Sequence, residues 1–282
     1  MSNSVSVCYS YDGSFGGFLC CVYESQANNE YPESFTSPGD IRVSLYPERT
    51  VITDRTVARR VYTSLESDIG PEARRLAAYA FLTSLPERER AIFDFIILGF
   101  ERGPSVSQDL TDDRVDILRK AVLHLTREIE HLKGFVRFSD QGWLLAGEIE
   151  PKNRVLPLLR NHFCTRFSGE TFLLYDRTHR EALLYQPGRK GIIIPAEDFK
   201  LDAPGNAELC YRRLWRQFYD TIAIEGRYNP KLRMTHMPKR YWNTMTEFQD
   251  AGEKIQRTSF ANELCSGAHP KPPAVEPIST KT

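Results

Sequence analysis

From Val115 the apolar residues Val115, Leu118, Val122, Leu125, Ile129 and Leu132 advance by three and four, the spacing of a helix that buries one face. Gly134 offers that helix a C-terminal stop. Beyond it the period changes to alternation. Phe135 to Phe138 and Trp143 to Ile149 are expected to form a hairpin around Asp140-Gln141-Gly142, ended by Glu150-Pro151. A helix is expected over 156–167. Phe172 to Tyr175 and Ala182 to Tyr185 predict a second hairpin, and Ile192-Ile193-Ile194 a fifth strand.

Upstream the pattern is mostly helical. Asp54 is placed to cap a helix over 55–67, Pro71 opens one to about Ser84, and Pro86 opens another that ends near Gly103. Before these, 27–40 is a polar loop with Pro32 and Pro38, and Ile41-Arg42-Val43-Ser44-Leu45 alternates like a short strand. The fold class predicted is α+β: a mainly helical N-terminal region over 1–134, then an α+β region over 135–250 with a small antiparallel sheet, its C-terminal helices packing across both. Residues 251–282 lose all pattern and collect Pro270, Pro272, Pro273 and Pro277, the composition of a disordered tail.

Charge changes the picture at one place. The chain has 37 basic and 37 acidic side chains, yet from Arg212 to Arg240 eight cations stand against Asp220 and Glu225. Such an excess points to an anionic partner. In the same stretch Tyr211, Leu214, Trp215, Phe218, Tyr219 and Ile222 trace an amphipathic helix, leaving Arg212, Arg213 and Arg216 off the apolar stripe and free to face outward. Two helix starts follow, Asn229-Pro230-Lys231 and Met237-Pro238-Lys239-Arg240. Each sets cations where the helix dipole prefers anions, at about 0.3–1 kcal/mol per charge. Arg227, Asn229, Lys231, Lys239 and Arg240 are therefore expected to converge on one anion-sized pocket, with Tyr228, Tyr241 and Trp242 as stacking surfaces. The alternative is a solvated basic rim over a core of Trp215, Tyr241 and Trp242.

With 282 residues, 41% apolar and 26% charged, the chain is sized for one large or two modest domains. No apolar run approaches a membrane span and no signal-peptide pattern opens the chain, so a cytoplasmic protein is expected. None of the six cysteines has C-x-x-C spacing, which argues against a zinc knuckle or an iron-sulfur site, and no cofactor is expected. Cys20 and Cys21 suit buried thiols better than a redox pair. His124 and His131 lie seven apart on one helix, but no third ligand is in view and no metal site is expected.

Two smaller groups carry candidate chemistry. In Tyr11-Asp12-Gly13-Ser14-Phe15-Gly16-Gly17, Asp12 or Ser14 is a natural helix cap; alternatively Gly13 and Ser14 hold a phosphate beside Asp12 as acid or base. His162 and Arg166, one turn apart, either bind phosphate together or sit on a helix surface.

Several stretches together, YDGSFGG from Tyr11, HLKGFVRF from His131, EPKNRVLPLLRNHFCTRF from Glu150, LLYD from Leu173 and LWRQFYDTIAIEGRYNPKLRMTHMPKRYW from Leu214, resemble the bacterial "probable DNA metabolism protein" family. The resemblance runs from about Ser10 to Phe248. It implies a DNA context: genes of that family sit beside a radical SAM protein of DNA modification or repair, and some members are fused to a uracil-DNA glycosylase domain. The absence of a C-x-x-x-C-x-x-C run fits a companion of the iron-sulfur enzyme. The leading expectation is a nucleic-acid-binding accessory protein acting with a radical SAM partner, its phosphate contacts being Arg212, Arg213, Arg216, Arg227, Lys231, Lys239 and Arg240. The alternatives are an enzyme acting on a nucleotide or nucleic-acid phosphate or glycosidic bond through Asp12, Ser14 and His162, and a protein adaptor that does not touch DNA.

Overall fold

The computed structural model describes residues 5–40, 44–197, 205–222 and 229–248. The fold is α+β, and the chain divides into two compact units, Met1–Leu201 and Asp202–Thr282.

The first unit opens on a parallel sheet where mainly helix was expected. Strand β1 (Val5–Ser10) leads through helix α1 (Phe15–Asn28) to β2 (Glu30–Thr36), and β3 (Glu48–Thr50) completes the order β2-β1-β3 with both neighbours parallel to β1. Residues 30–36 do not form the polar loop expected there. Pro32 is accommodated because β2 is an edge strand and its register against β1 shifts between Val7 and Cys8, a bulge that absorbs the missing donor. The expected strand at 41–45 falls partly outside the described residues, and a strand lies at Glu48–Thr50.

Helix α2 (Arg55–Ser64) is capped as expected: an Asp54 carboxylate oxygen accepts from the backbone N–H of Thr56 and Val57 at 2.6 and 3.2 Å. It runs on into a π-helical turn, Leu65–Ile69, whose Ile69 packs against Gly99 so closely that an added Cβ there would lie 2.7 Å from the isoleucine. Helices α3 (Pro71–Ala80), α4 (Arg88–Arg102) and α5 (Asp113–Phe135) follow. Tyr9, Phe18, Phe93, Ile96 and Leu118 are all sealed from solvent in one core joining this sheet to these helices. Each such side chain contributes about 1.5–3 kcal/mol by leaving water. Gly134 does not stop α5. His131 stacks on Phe135 at 5.4 Å, and the helix continues to Phe135 before Val136 turns the chain into extended backbone.

The second sheet has the five strands expected but not the purely antiparallel order. It runs β4 (Phe138–Asp140), β5 (Leu145–Ile149), β6 (Phe172–Asp176), β7 (Glu181–Tyr185) and β8 (Ile192–Pro195), and the β5–β6 pair is parallel. The reason lies between them. Helix α6 (Leu156–Arg166) supplies the crossover that a parallel pair needs, where a tight hairpin would have reversed the chain. Phe138, Phe163, Phe167 and Phe172 pack together with centroids 5.0–6.5 Å apart, edge-on in every pair but Phe163–Phe167, which is stacked.

The second unit contains α7 (Asn206–Thr221), α8 (Pro230–His236), and two short 3-10 turns, Lys239–Thr244 and Thr246–Phe248. Helix α7 is turned the opposite way from expectation. Its apolar stripe is exposed, with Tyr211 at 57%, Leu214 at 49% and Phe218 at 53% of full accessibility. Among its described side chains, Glu208 is buried and Cys210, Arg212, Arg216 and Tyr219 are half-buried.

Candidate functional site

Two places carry the candidate residues, and the first is the turn from β1 into α1. Ser14 caps α1, its hydroxyl accepting from the Gly17 N–H at 2.9 Å. The same hydroxyl donates to Asp12 Oδ1 at 2.7 Å, while the Ser14 N–H reaches that oxygen at 2.9 Å and the Thr53 hydroxyl donates to Oδ2 at 2.8 Å. Burial pushes the Asp12 carboxyl up, but the donors from Ser14 and Thr53 outweigh it and hold the group below the usual carboxylate range. Asp12 is therefore ionised at neutral pH. A proton donor is not available there, and a phosphate would meet a negative charge at the helix start. Gly13 has φ of +78°, a conformation that favours glycine, and packs against Ser37 and Pro38. Tyr11 donates its hydroxyl to Glu89 of α4 at 3.1 Å, which fixes the approach to the turn.

His162 stands apart from this turn, on α6, where α5 and β7 are its neighbours. Its Nε2 is buried with no hydrogen-bond partner among the described residues. Burial, followed by the Lys133 and Arg166 charges, holds its pKa below the ordinary imidazole value, against the opposing Glu130. Arg166 extends over the Phe167 ring at 5.9 Å. No hydrogen bond among the described residues links His162 to Asp12 or Ser14.

The second place is the basic stretch. Arg212 pairs with Glu208 at 2.8 Å and Arg216 donates to the Thr246 carbonyl at 3.1 Å, so neither faces outward as expected. Arg213 and Lys231 are exposed. Asn229 caps α8 by accepting from the Leu232 N–H at 3.0 Å. Lys239 lies 5.9 Å from the Trp242 ring and Arg240 4.5 Å over Tyr241, to whose hydroxyl it also donates. Each of these two cations thus meets its own aromatic ring, and both residues are exposed. Arg227 and Tyr228 lie outside the described residues. Tyr241 is buried, and Trp242 stacks on Phe248 at 4.6 Å beneath Arg233, with its indole N–H donating to the Met237 carbonyl at 3.1 Å. Both are structural in this unit. Among the described residues of this unit, the aromatic rings open to solvent are Tyr211, Trp215 and Phe218 of α7.

Sequence reasoning passed over two further polar groups. Glu128, 1% exposed, accepts from the Lys152 and Asn153 N–H groups at 3.0 Å each and from the Asn153 side chain at 2.6 Å; Asn153 in turn accepts from the Ser84 N–H at 2.9 Å. Asp176, fully buried, accepts from the Thr178 and His179 N–H groups at 3.0 Å and lies 2.7 Å from His179 Nδ1. The second group had a signal, an aspartate followed at two and three residues by Thr178 and His179 between two strands, which is the pattern of a side-chain-stapled turn.

Among the described residues no three His, Cys, Asp or Glu side chains are grouped to hold a metal ion, and no helix is long and apolar enough to cross a membrane. Comparison with curated proteins and with solved structures returns no match. A family described as "Domain of unknown function (DUF4130)" matches residues 86–247, a stretch holding α4 to α8, the mixed sheet and both buried polar groups but not the β1–α1 turn. That match spans more than half of the sequence, and the chain belongs to the DUF4130 family.

Proposed function

We propose that the protein is a nucleic-acid-binding accessory factor of DNA repair or modification that works beside a radical SAM enzyme. The observation that carries the nucleic-acid part is the outward face of α7. Tyr211, Trp215 and Phe218 stand open to solvent on one helix with Arg213, the pairing of ring surface and cation that unpaired bases and their phosphates use. The radical SAM partner is supported by the resemblance of the aromatic and basic C-terminal motif.

Fluorescence anisotropy with a labelled oligothymidylate tests the reading. The wild type is expected to bind with a log–log salt slope that grows by about −0.7 for each phosphate neutralised. Arg213→Glu with Lys231→Glu is expected to weaken binding by more than tenfold at about 0.1 M salt, and Trp215→Ala by about 1–3 kcal/mol. Binding that ignores salt and both changes would sink the reading.

One observation favours an adaptor instead. Leu209, Leu214, Ile222 and Leu232 are also exposed in this unit, and aliphatic side chains of that kind suit a protein surface better than a base. On that reading Leu214→Glu abolishes co-purification with the radical SAM enzyme, while anisotropy on DNA is flat.

A further inference from the structure

We infer that the crevice where β1 and β2 end and β3 begins binds the cis-diol of a pentose, as a free sugar or as part of a nucleoside. Its placement comes first. In parallel sheets ligands lodge beyond the carboxyl ends of the strands, where connections leave in opposite directions. Here β1 is central; α1 carries the chain to β2 on one side, and the return brings it to β3 on the other. A cavity of about 270 Å³ lies there, lined by Ser10 at the carboxyl end of β1, Thr36 at that of β2 and Glu48 at the start of β3.

Its chemistry comes second. Ser10, Thr36, Ser37 and Ser44 bring four hydroxyls to the lining and Asp40 and Glu48 two carboxylates, with neither lysine nor arginine among the described lining residues. The Ser10 and Ser37 hydroxyls make no hydrogen bond to described residues, and the Thr36 hydroxyl has one long contact, 3.9 Å to the Cys8 thiol. Hydroxyls that both donate and accept, beside carboxylates that only accept, match a ligand rich in O–H groups. An anion is disfavoured. Glu48 lines the crevice, and the adjoining turn brings the ionised Asp12.

The wall and the size restrict the occupant further. Gly13 lies against the Ser37–Pro38 side of the crevice; a Cβ there would come 3.4 Å from Ser37 Cβ and 4.0 Å from Pro38 Cδ, so the turn closes one side without a protruding side chain. The volume lies just below the roughly 300–1,000 Å³ of drug-sized ligand pockets, which suits a sugar with a base left partly outside. None of this depends on α7 or on nucleic-acid binding, so the two readings stand or fall separately.

The test is a thermal-shift and calorimetric titration of the full chain with D-ribose, adenosine, 2′-deoxyadenosine and inorganic phosphate. A saturable rise in Tm with ribose and adenosine alike supports a free-sugar site, and a rise with adenosine alone supports a nucleoside site. In either case 2′-deoxyadenosine is expected to bind at least tenfold more weakly and phosphate not at all. Glu48→Gln and Ser37→Ala are expected to lower affinity about tenfold each while the Tm of the free protein stays level. The inference is overturned if neither ribose nor adenosine gives a saturable shift, if ribo and deoxy forms bind equally, if phosphate binds, or if both variants bind like the wild type.

Discussion

At Gly17 a Cβ would run into the Asp12 carboxylate, and into the Thr53 hydroxyl at 2.7 Å, two groups that already hydrogen-bond to each other at 2.8 Å. Gly17→Ala is therefore expected to lower stability by about 1–3 kcal/mol, as overpacking does. Asp12→Ala removes the obstruction, and in that background the same change should cost measurably less. A double-mutant cycle in urea reads the difference, and strict additivity would show that the turn simply moves aside. Glu128 makes a second test at this scale. Its carboxylate is the acceptor for three donors of the Lys152–Asn153 segment, two of them on the buried Asn153. Each buried donor left unsatisfied costs about 1–3 kcal/mol, so Glu128→Ala should lose about 3 kcal/mol or more, and an unchanged urea midpoint would contradict this account.

Helix α6 brings His162 between Lys133 of α5 and Arg166 of its own next turn, with Glu130 the opposing charge. Its folded pKa lies below the unfolded value of about 6.5. In the window from that value downward the unfolded chain binds more protons than the folded one, so stability is full above about pH 6.5 and falls as pH drops toward the folded pKa. Urea midpoints taken between about pH 5 and 7 should show this slope, and His162→Phe should flatten it; an equal slope in both proteins would assign it to other groups. The helices α2 to α6 were legible because capping aspartate, opening prolines and a three-four apolar step are local signals. The sheet pairing was less so. β2 carries a proline that reads as loop until its edge position and bulge are known, and the parallel β5–β6 pair depends on a crossover that strand patterns do not encode. Helix α7 was misjudged for a related reason: its period gives the faces, but not which face is covered. The Glu208–Arg212 pair and the Arg216 bond to Thr246 cover the polar one.

For the whole molecule, the division after Leu201 separates the proposed activities. A chain shortened to residues 1–201 keeps both sheets and the core of Phe18, Phe93 and Leu118, and is expected to unfold cooperatively and retain the pentose crevice while losing DNA affinity. Calorimetry with adenosine and anisotropy with the oligothymidylate check both halves of that expectation, and DNA affinity retained by the short chain would remove α7 from the interface. The candidate site was legible to different degrees. Asp12 and Ser14 announced themselves as a capped glycine turn, but Thr53 comes from a distant segment that only the fold brings near. The hydroxyl-lined crevice left no linear trace, because Ser10, Thr36, Ser37 and Ser44 are ordinary surface residues until the strands are laid side by side.

Helix α4 ties the start of the family match to what precedes it. Tyr31 donates to Asp94 at 2.7 Å, Arg90 reaches the Pro32 carbonyl at 2.9 Å and Glu33 at 2.8 Å, and Phe93 packs on Tyr31 and Phe35 at 5.6 and 6.0 Å. A fragment beginning at Pro86 would carry Phe93 without those rings and leave their side of α4 to water. Such a fragment is expected to go into inclusion bodies or to bind a dye such as ANS, whereas the chain from its first strand stays in solution without dye. The start of the DUF4130 match is thus a poor place for the scissors of anyone preparing this protein: the stretch that the family shares and the smallest body expected to fold have different borders.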